Sequence, residues 1–320
     1  MFSQHIYNFL LKTPYNNNWD KILYHSVSQF RQLSKRIYDP LIDYKIGNNV
    51  MLMPFSHNLG IYQKFYPQYA VNVGRIAAYT EEKNKDLTII DIGANVGDTV
   101  FILRSKIESP ILAIEGDEYF YSVLQKNIKQ LKNVSTVKSL IGDQSKEIKA
   151  TLAGHSGTAG LEISQQSKGV LKIQCLTDIL EKNQEFQRSK LMKIDTDGLD
   201  GKIIRGAIDW IRKIKPVIFF EYDPFSLNKN SDDGLSLFNT LASAGYKSFL
   251  VYNNFGEYMY AIDKKELVIE THQYFSGRQG RMYCDLCAFS DDDIDLFEKI
   301  RRKETEYSLK IRGGDKIADQ

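Results

Sequence analysis

The sequence predicts an α/β fold built around a doubly wound, mostly parallel sheet. Two observations carry this. From Leu87 onward, short apolar runs alternate with amphipathic helical stretches, the pattern of right-handed βαβ units. A glycine-containing loop also joins the first such run to the helix that follows, where a ligand-binding α/β sheet turns its corner. Composition agrees: 320 residues, 42% hydrophobic and 26% charged, can bury a core without disulfide or metal staples and exclude a wholly disordered chain.

Residues 1–45 place Ile22, Leu23, Val27, Phe30, Leu33 and Ile37 at helical spacing, with Asn17, Asn18 and Asp20 ahead of them as capping types. A second helix is predicted over 61–80, interrupted or started near Pro67. Strand-like runs follow at Leu87–Asp91, Ile111–Glu115, Val134–Ile141, Leu191–Asp195 and Val217–Glu221. Between them, helical patterns run over Asp98–Ile107, Tyr119–Leu131, Thr177–Gln187 and Asp200–Ile214, with another over 232–245. Four β-rich runs, Phe249–Tyr252, Tyr258–Ile262, Leu267–Glu270 and Met282–Phe289, predict an antiparallel end to the sheet. The expected whole is a seven-stranded Rossmann-like sheet with an antiparallel C-terminal strand, divided as a helical extension at 1–80, a binding domain at 81–290 and a C-terminal helix and tail at 291–320.

Charge and cysteine content narrow the function classes. Lys and Arg number 42 against 40 Asp and Glu, a net +2, so bulk charge supplies no drive toward nucleic acid or anionic lipid. Three cysteines form no disulfide framework and fit a reducing compartment. No apolar run approaches the ~20 residues of a spanning helix, and the first residues lack the features of a signal peptide. The expectation is a cytoplasmic protein with a small-molecule or glycan acceptor. The N-terminal helices are expected to cover the site, pair two subunits or dock a partner. Cys284 and Cys287 lack the further ligands a zinc site needs and read as structural thiols.

The chemistry starts at Asp91-Ile-Gly-Ala-Asn-Val-Gly-Asp98. Gly93 and Gly97 allow a tight turn and close approach of a ligand to the main chain. The next strand ends in Glu115, placed as an acceptor for ribose hydroxyls, followed by Gly116. Asn95 stands where a dinucleotide fingerprint needs its second glycine, and Asp91 and Asp98 add negative charge. A pyrophosphate is poorly served there and a cation is favoured. S-adenosylmethionine, with a sulfonium, an ammonium and no phosphate, meets that condition. Ala94, Asn95, Asp98 and Thr99 complete the loop side of the predicted cofactor site, and Gly142 and Asp143, after the third run, are expected to frame the adenine edge. Asp195, Asp197 and Glu221 follow later strands onto the same rim, where Asp195 contacts cofactor or substrate and all three offer oxygen ligands to a Mg²⁺ ion. An NAD(P)-dependent oxidoreductase or epimerase and a non-catalytic cofactor-binding scaffold stand as alternatives.

DIGANVGDTV, the IEG at 114–116, GTAGL at 157–161, LMKIDTDGLDGKIIRGA and PVIFFEYDP together resemble FkbM-type methyltransferases, over roughly residues 50–225. The resemblance implies a class I S-adenosylmethionine-dependent O-methyltransferase, of a kind that often acts on sugars or polyketide-like natural products. The family usually carries Glu or a similar residue at the positions of Asp197 and Asp200; Asp reaches ~1.5 Å less, about one carbon–carbon bond. A hydroxyl acceptor needs a base. His155, expected in a flexible loop before the fourth strand, in the segment matching the family's GTA region, is the first candidate and Asp195 the second; the other histidines have no partner pattern. Arg278 and Arg281, with Tyr274 and Phe275, are candidates to grip the substrate.

Overall fold

The computed structural model describes residues 2–155, 158–163 and 169–318, with side chains over 2–149 and 169–311. It begins with helices α1 (Phe2–Lys12) and α2 (Asn18–Ser34). The Asn17 side chain accepts the Asp20 N–H at 2.9 Å and caps α2, as its residue type predicts. The stripe through Ile22, Leu23, Phe30 and Leu33 faces outward, however, and Tyr24 and Arg31 are the buried residues of α2. Helical spacing identifies an apolar face but not the direction in which it points.

The N-terminal extension is not wholly helical. Strands β1 (Leu41–Ile46) and β2 (Asn49–Pro54) form an antiparallel hairpin that turns through Gly47 at φ +57°. Ile42, Met51 and Met53 pack with Tyr7, Leu10, Phe101 and Phe120 and seat the extension on the main domain. Helices α3 (Leu59–Phe65) and α4 (Asn72–Lys83) lie on either side of Pro67, which accounts for the break.

The remaining elements are β3 (Ile89–Ile92), α5 (Asp98–Arg104), β4 (Ile111–Glu115), α6 (Glu118–Ile128), β5 (Val134–Lys138), β6 (Leu140–Gly142), β7 (Lys146–His155), β8 (Thr158–Ile163) and β9 (Val170–Cys175). They continue with α7 (Leu176–Lys182), β10 (Leu191–Ile194), α8 (Asp200–Gly206), α9 (Ile208–Ile214), β11 (Val217–Tyr222), α10 (Pro224–Lys229) and α11 (Leu235–Ser243). Last come β12 (Tyr246–Asn253), β13 (Tyr258–Ile262), α12 (Lys265–Ser276), β14 (Cys284–Ser290) and α13 (Ile294–Ala318).

The main sheet has eight strands in the order β13-β12-β14-β11-β10-β3-β4-β5. The five from β11 to β5 are parallel, and β14, β12 and β13 are antiparallel. The doubly wound reading holds, with one strand more than expected and a three-stranded antiparallel end. Three local expectations are corrected. The run Leu267–Glu270 belongs to helix α12. The run Val134–Ile141 divides, and β6 joins β9, β7 and β8 in a separate four-stranded sheet. His155, expected in a loop, ends β7 opposite Thr158.

Apolar residues cover both sheet faces, one layer through Ile90, Ile114, Ile194 and Phe220, the other through Ile89, Ala113, Leu191 and Phe219. This is the doubly buried pattern that gave these strands their continuous apolar runs. The winding reverses between β3 and β10, so the loops leaving these two strands face each other across the crevice where such sheets bind ligands.

Candidate active site

The loop after β3 is shaped by backbone constraints. Gly93, Asn95 and Gly97 have φ of +76°, +47° and +94°, and the N–H groups of Gly93 and Ala94 both donate to the Ile114 carbonyl at 3.0 Å. A Cβ at Gly93 would lie 1.9 Å from the Asp195 carbonyl oxygen. Gly93 is therefore fixed by the approach of the β10 end as well as by its left-handed conformation. Across the loop, Glu115 Oε2 accepts the Asn95 N–H and Oε1 accepts the Asp117 N–H, both at 2.7 Å. Burial pushes the Glu115 carboxyl up and these backbone donors oppose the shift. Each oxygen keeps a lone pair for a ligand hydroxyl.

Beneath the loop lies a buried cation. Lys193 on β10 is in register with Asp91 on β3, and its Nζ is 3.3 Å from Asp91 Oδ1, 3.4 Å from Asp195 Oδ2 and 3.3 Å from the Gly93 carbonyl. Burial alone would lower the Lys193 pKa, but Asp91 and then Asp195 outweigh it and hold the ammonium charged. Asp91 is completely buried against this lysine.

Above it opens a cavity of about 430 Å³. Its wall contains Gly93, Asn95, Asp98, Thr99, Glu115, Gly116, Asp195 and Asp197 from the predicted set. Gly142, Asp143, Glu221, Arg278 and Arg281 stand outside the wall, as do Asp91, Ala94 and Gly97. Asp143 is ion-paired with Lys146 at 2.9 Å. Gly142 packs on Ile173. Arg278 stacks over Tyr274, 4.3 Å from the ring centroid. The His155 side chain lies outside the described residues. Tyr69, Tyr283, His57 and Asn58 also line the cavity and were missed. Nothing in their local sequence marks them: His57 and Asn58 reach the site because Arg31 grips the Phe55 and His57 carbonyls at 2.7 and 3.0 Å and the Asn58 side chain at 3.1 Å. Burial lowers the His57 pKa, and its Nδ1 accepts the Leu59 N–H at 3.3 Å, so Nε2 of the neutral ring carries the proton.

In and behind the wall, Asp195 is the common neighbour of a set of carboxyls raised first by burial and then by its charge. Asp197, at φ +51°, is pushed up to about 6, Asp200 to about 7 and Asp285 to about 8. Glu221, directly across from Asp285 in the β11–β14 pairing, is pushed well above its ordinary value. Asp200, the first residue of α8, is almost fully buried and accepts the Thr196 hydroxyl at 2.9 Å. Among the described residues, no three His, Cys, Asp or Glu side chains are arranged to hold a metal ion.

Two outcomes follow. Replacing Lys193 by Met strands Asp91 without its cation and is expected to cost about 3–5 kcal/mol in urea unfolding. Adding Asp91→Asn should recover part of that; a single-variant loss below about 1 kcal/mol would show that the ion pair does not hold the loop. The second concerns pH. Carboxyls raised in the folded state bind more protons there than in the unfolded chain, so between about pH 4 and about pH 8 stability falls as pH rises. In thermal melts across that window, Asp200→Asn should flatten the slope and raise Tm at pH 8; an unchanged slope would remove Asp200 from the set.

Comparison with known proteins places this geometry in context. Residues 91–248 match the family profile described as the methyltransferase FkbM domain. No curated protein matches the chain significantly. Similar solved structures include methyltransferase FkbM from Methylobacillus flagellatus KT, at 12% identity over 76% of this chain and 54% of that one, TM-score 0.35. An O-methyltransferase from Bacillus cereus in complex with SAH aligns at 12% identity over 68% and 80%, TM-score 0.39. Precorrin-6y C5,15-methyltransferase from Geobacter metallireducens GS-15 aligns at 14% identity over 68% and 88%, TM-score 0.34. The profile match spans the glycine loop, Glu115 and the block from Lys193 to Asp200, so residues 91–248 carry an FkbM-type methyltransferase domain.

Proposed function

We propose that the protein is an S-adenosylmethionine-dependent O-methyltransferase that methylates a hydroxyl of a sugar, a polysaccharide precursor or a related natural product. The observation that carries the cofactor is the charge of the cavity. Asp98, Glu115, Asp195 and Asp197 line it, and Lys193, its buried cation, is already engaged by Asp91 and Asp195. Such a wall favours a sulfonium and an ammonium and opposes a pyrophosphate. The residues fit the group: Glu115 would offer its remaining lone pairs to ribose hydroxyls, the Asp98 and Asp195 carboxylates would hold the cationic groups, and Phe120, Leu140 and Ile141 would supply apolar wall for a base.

When bound, the cofactor supplies an electrophilic methyl for in-line displacement by the acceptor oxygen. The chain must then orient the acceptor, exclude water and take a proton. Asp197 is the group suited to the last task within the cavity wall, because burial and the Asp195 charge bring its carboxyl to about 6, close to working pH. Tyr69 and Tyr283 present hydroxyls that burial keeps protonated, available to orient a polyol. The acceptor class rests on the family resemblance and on this hydroxyl-rich wall.

Calorimetric titration tests the cofactor. S-adenosylhomocysteine should bind at micromolar Kd and NAD⁺ or NADP⁺ should not, and Glu115→Ala should weaken binding by at least about tenfold, the loss of one charge-assisted hydrogen bond. Tight dinucleotide binding would favour the oxidoreductase reading, and binding of neither the scaffold reading. With an acceptor in hand, kcat/KM should rise through about pH 6, and Asp197→Asn should abolish that limb; a limb that survives assigns the proton to another group.

A further inference from the structure

The outward face of α2 calls for an occupant. Trp19, Ile22, Leu23, Phe30 and Leu33 repeat at i, i+3, i+4, i+11 and i+14, one stripe of a helix with 3.6 residues per turn. Trp19 is 78% exposed and Leu33 63%. The stripe continues past the helix end through Ile37, 90% exposed, and Tyr38. Phe2 of α1 joins it by packing edge-on against Phe30, with ring centroids 6.1 Å apart. A soluble monomer rarely leaves so continuous an apolar surface uncovered. It is not a face waiting for this chain's own core, because the opposite face already makes that contact through Tyr24 and Arg31.

Charge identifies the occupant. Residues 1–38 carry five basic side chains (Lys12, Lys21, Arg31, Lys35, Arg36) and one acidic (Asp20), a net +4, whereas the whole chain carries +2. Arg31 is turned inward, and Lys12, Lys21 and Arg36 are exposed. At 100° per residue, Arg36 lies about 40° beyond Ile22 at one edge of the stripe, whereas Lys21 stands about 100° from Ile22 and reaches over the Tyr15 ring. A second copy laid on this face would set one net +4 region against another, which opposes association. An exposed tryptophan and aliphatic stripe, set in a net basic segment with Arg36 at its edge, suits an anionic bilayer surface, where apolar burial and charge attraction add. We propose that α1, α2 and the following turn form a docking surface for an anionic lipid bilayer, on which the protein lies peripherally. No helix among the described residues is long and apolar enough to cross a membrane, so the contact is interfacial. The surface is independent of the cofactor reading, since none of its residues lines the cavity.

Flotation of the full-length protein with vesicles tests it. Phosphatidylcholine vesicles containing phosphatidylglycerol should carry the protein upward, and pure phosphatidylcholine or high salt should carry much less. The chain has two tryptophans, so Trp210→Phe leaves Trp19 as the sole indole. Its emission should shift to the blue on adding anionic vesicles. The triple variant Trp19→Ser, Ile22→Ser, Leu33→Ser should lower vesicle affinity by about tenfold or more, with thermal melts and S-adenosylhomocysteine binding unchanged because the three side chains face outward. Absence of flotation with unchanged Trp19 emission would overturn the proposal. So would a concentration-dependent dimer that the triple variant dissociates in the absence of vesicle binding, because a second copy would then be what covers the face.

Discussion

The placement of the site depends on one buried ammonium. Lys193 lies between Asp91 at the end of β3 and Asp195 just beyond β10, and also reaches the Gly93 carbonyl. These two strands flank the point where the sheet reverses its winding. The ion triad thus fixes the separation of the loops that must enclose a ligand. Buried ion pairs add little net stability against a well-packed apolar alternative. Their value here is geometric: with Lys193 charged, Asp91 can be wholly buried, and the Asp195 carbonyl can pass so close to residue 93 that only glycine fits. From the other side Glu115 clamps the same loop through the Asn95 N–H. The cavity is therefore held between a cation underneath and a carboxylate at its flank.

This changes the meaning of the motif from which the site was read. The spacing of Gly93 and Gly97 and the acid at Glu115 located the cavity from the sequence, because a strand, a tight turn and a helix start leave a local signature. The reason for the glycines was only partly legible. A ligand close to bare main chain was expected; the structure adds the close packing against Asp195, a contact with a residue 102 positions away. Lys193 stands in the family-specific block, yet its role required knowledge of which strands become neighbours. Tyr69, Tyr283 and His57 come from segments distant in sequence and have no spacing pattern.

The errors in the fold have physical causes of the same kind. Leu267-Val-Ile-Glu270 is a short apolar run with β-branched residues, and periodicity cannot separate strand from helix over four residues. The surrounding stretch buries Thr271 and Phe275, four apart, which is helical spacing. The hairpin at 41–54 was hidden because its buried residues, Ile42, Met51 and Met53, rely on α1 and α6 for cover. In α2 the periodicity was real but the inward face is held by an aromatic and an arginine, which no hydropathy count would choose.

Net charge was the most misleading single number. A value of +2 suggested a neutral surface, yet it averages over regions that differ sharply, among them an N-terminal segment at net +4 and a cavity walled by four carboxylates. Coulomb interactions are screened within about 8–10 Å at physiological ionic strength, so each region acts on its own partner and the sum acts on none. The carboxylates around Asp195 repel one another and have been raised together, so without a ligand part of that repulsion is relieved by bound protons. A cationic ligand relieves it in the same way. Proton and cation therefore compete for one electrostatic deficit, and the strength with which the cavity holds a sulfonium is tied to the same carboxyls that make the empty fold less stable as pH rises.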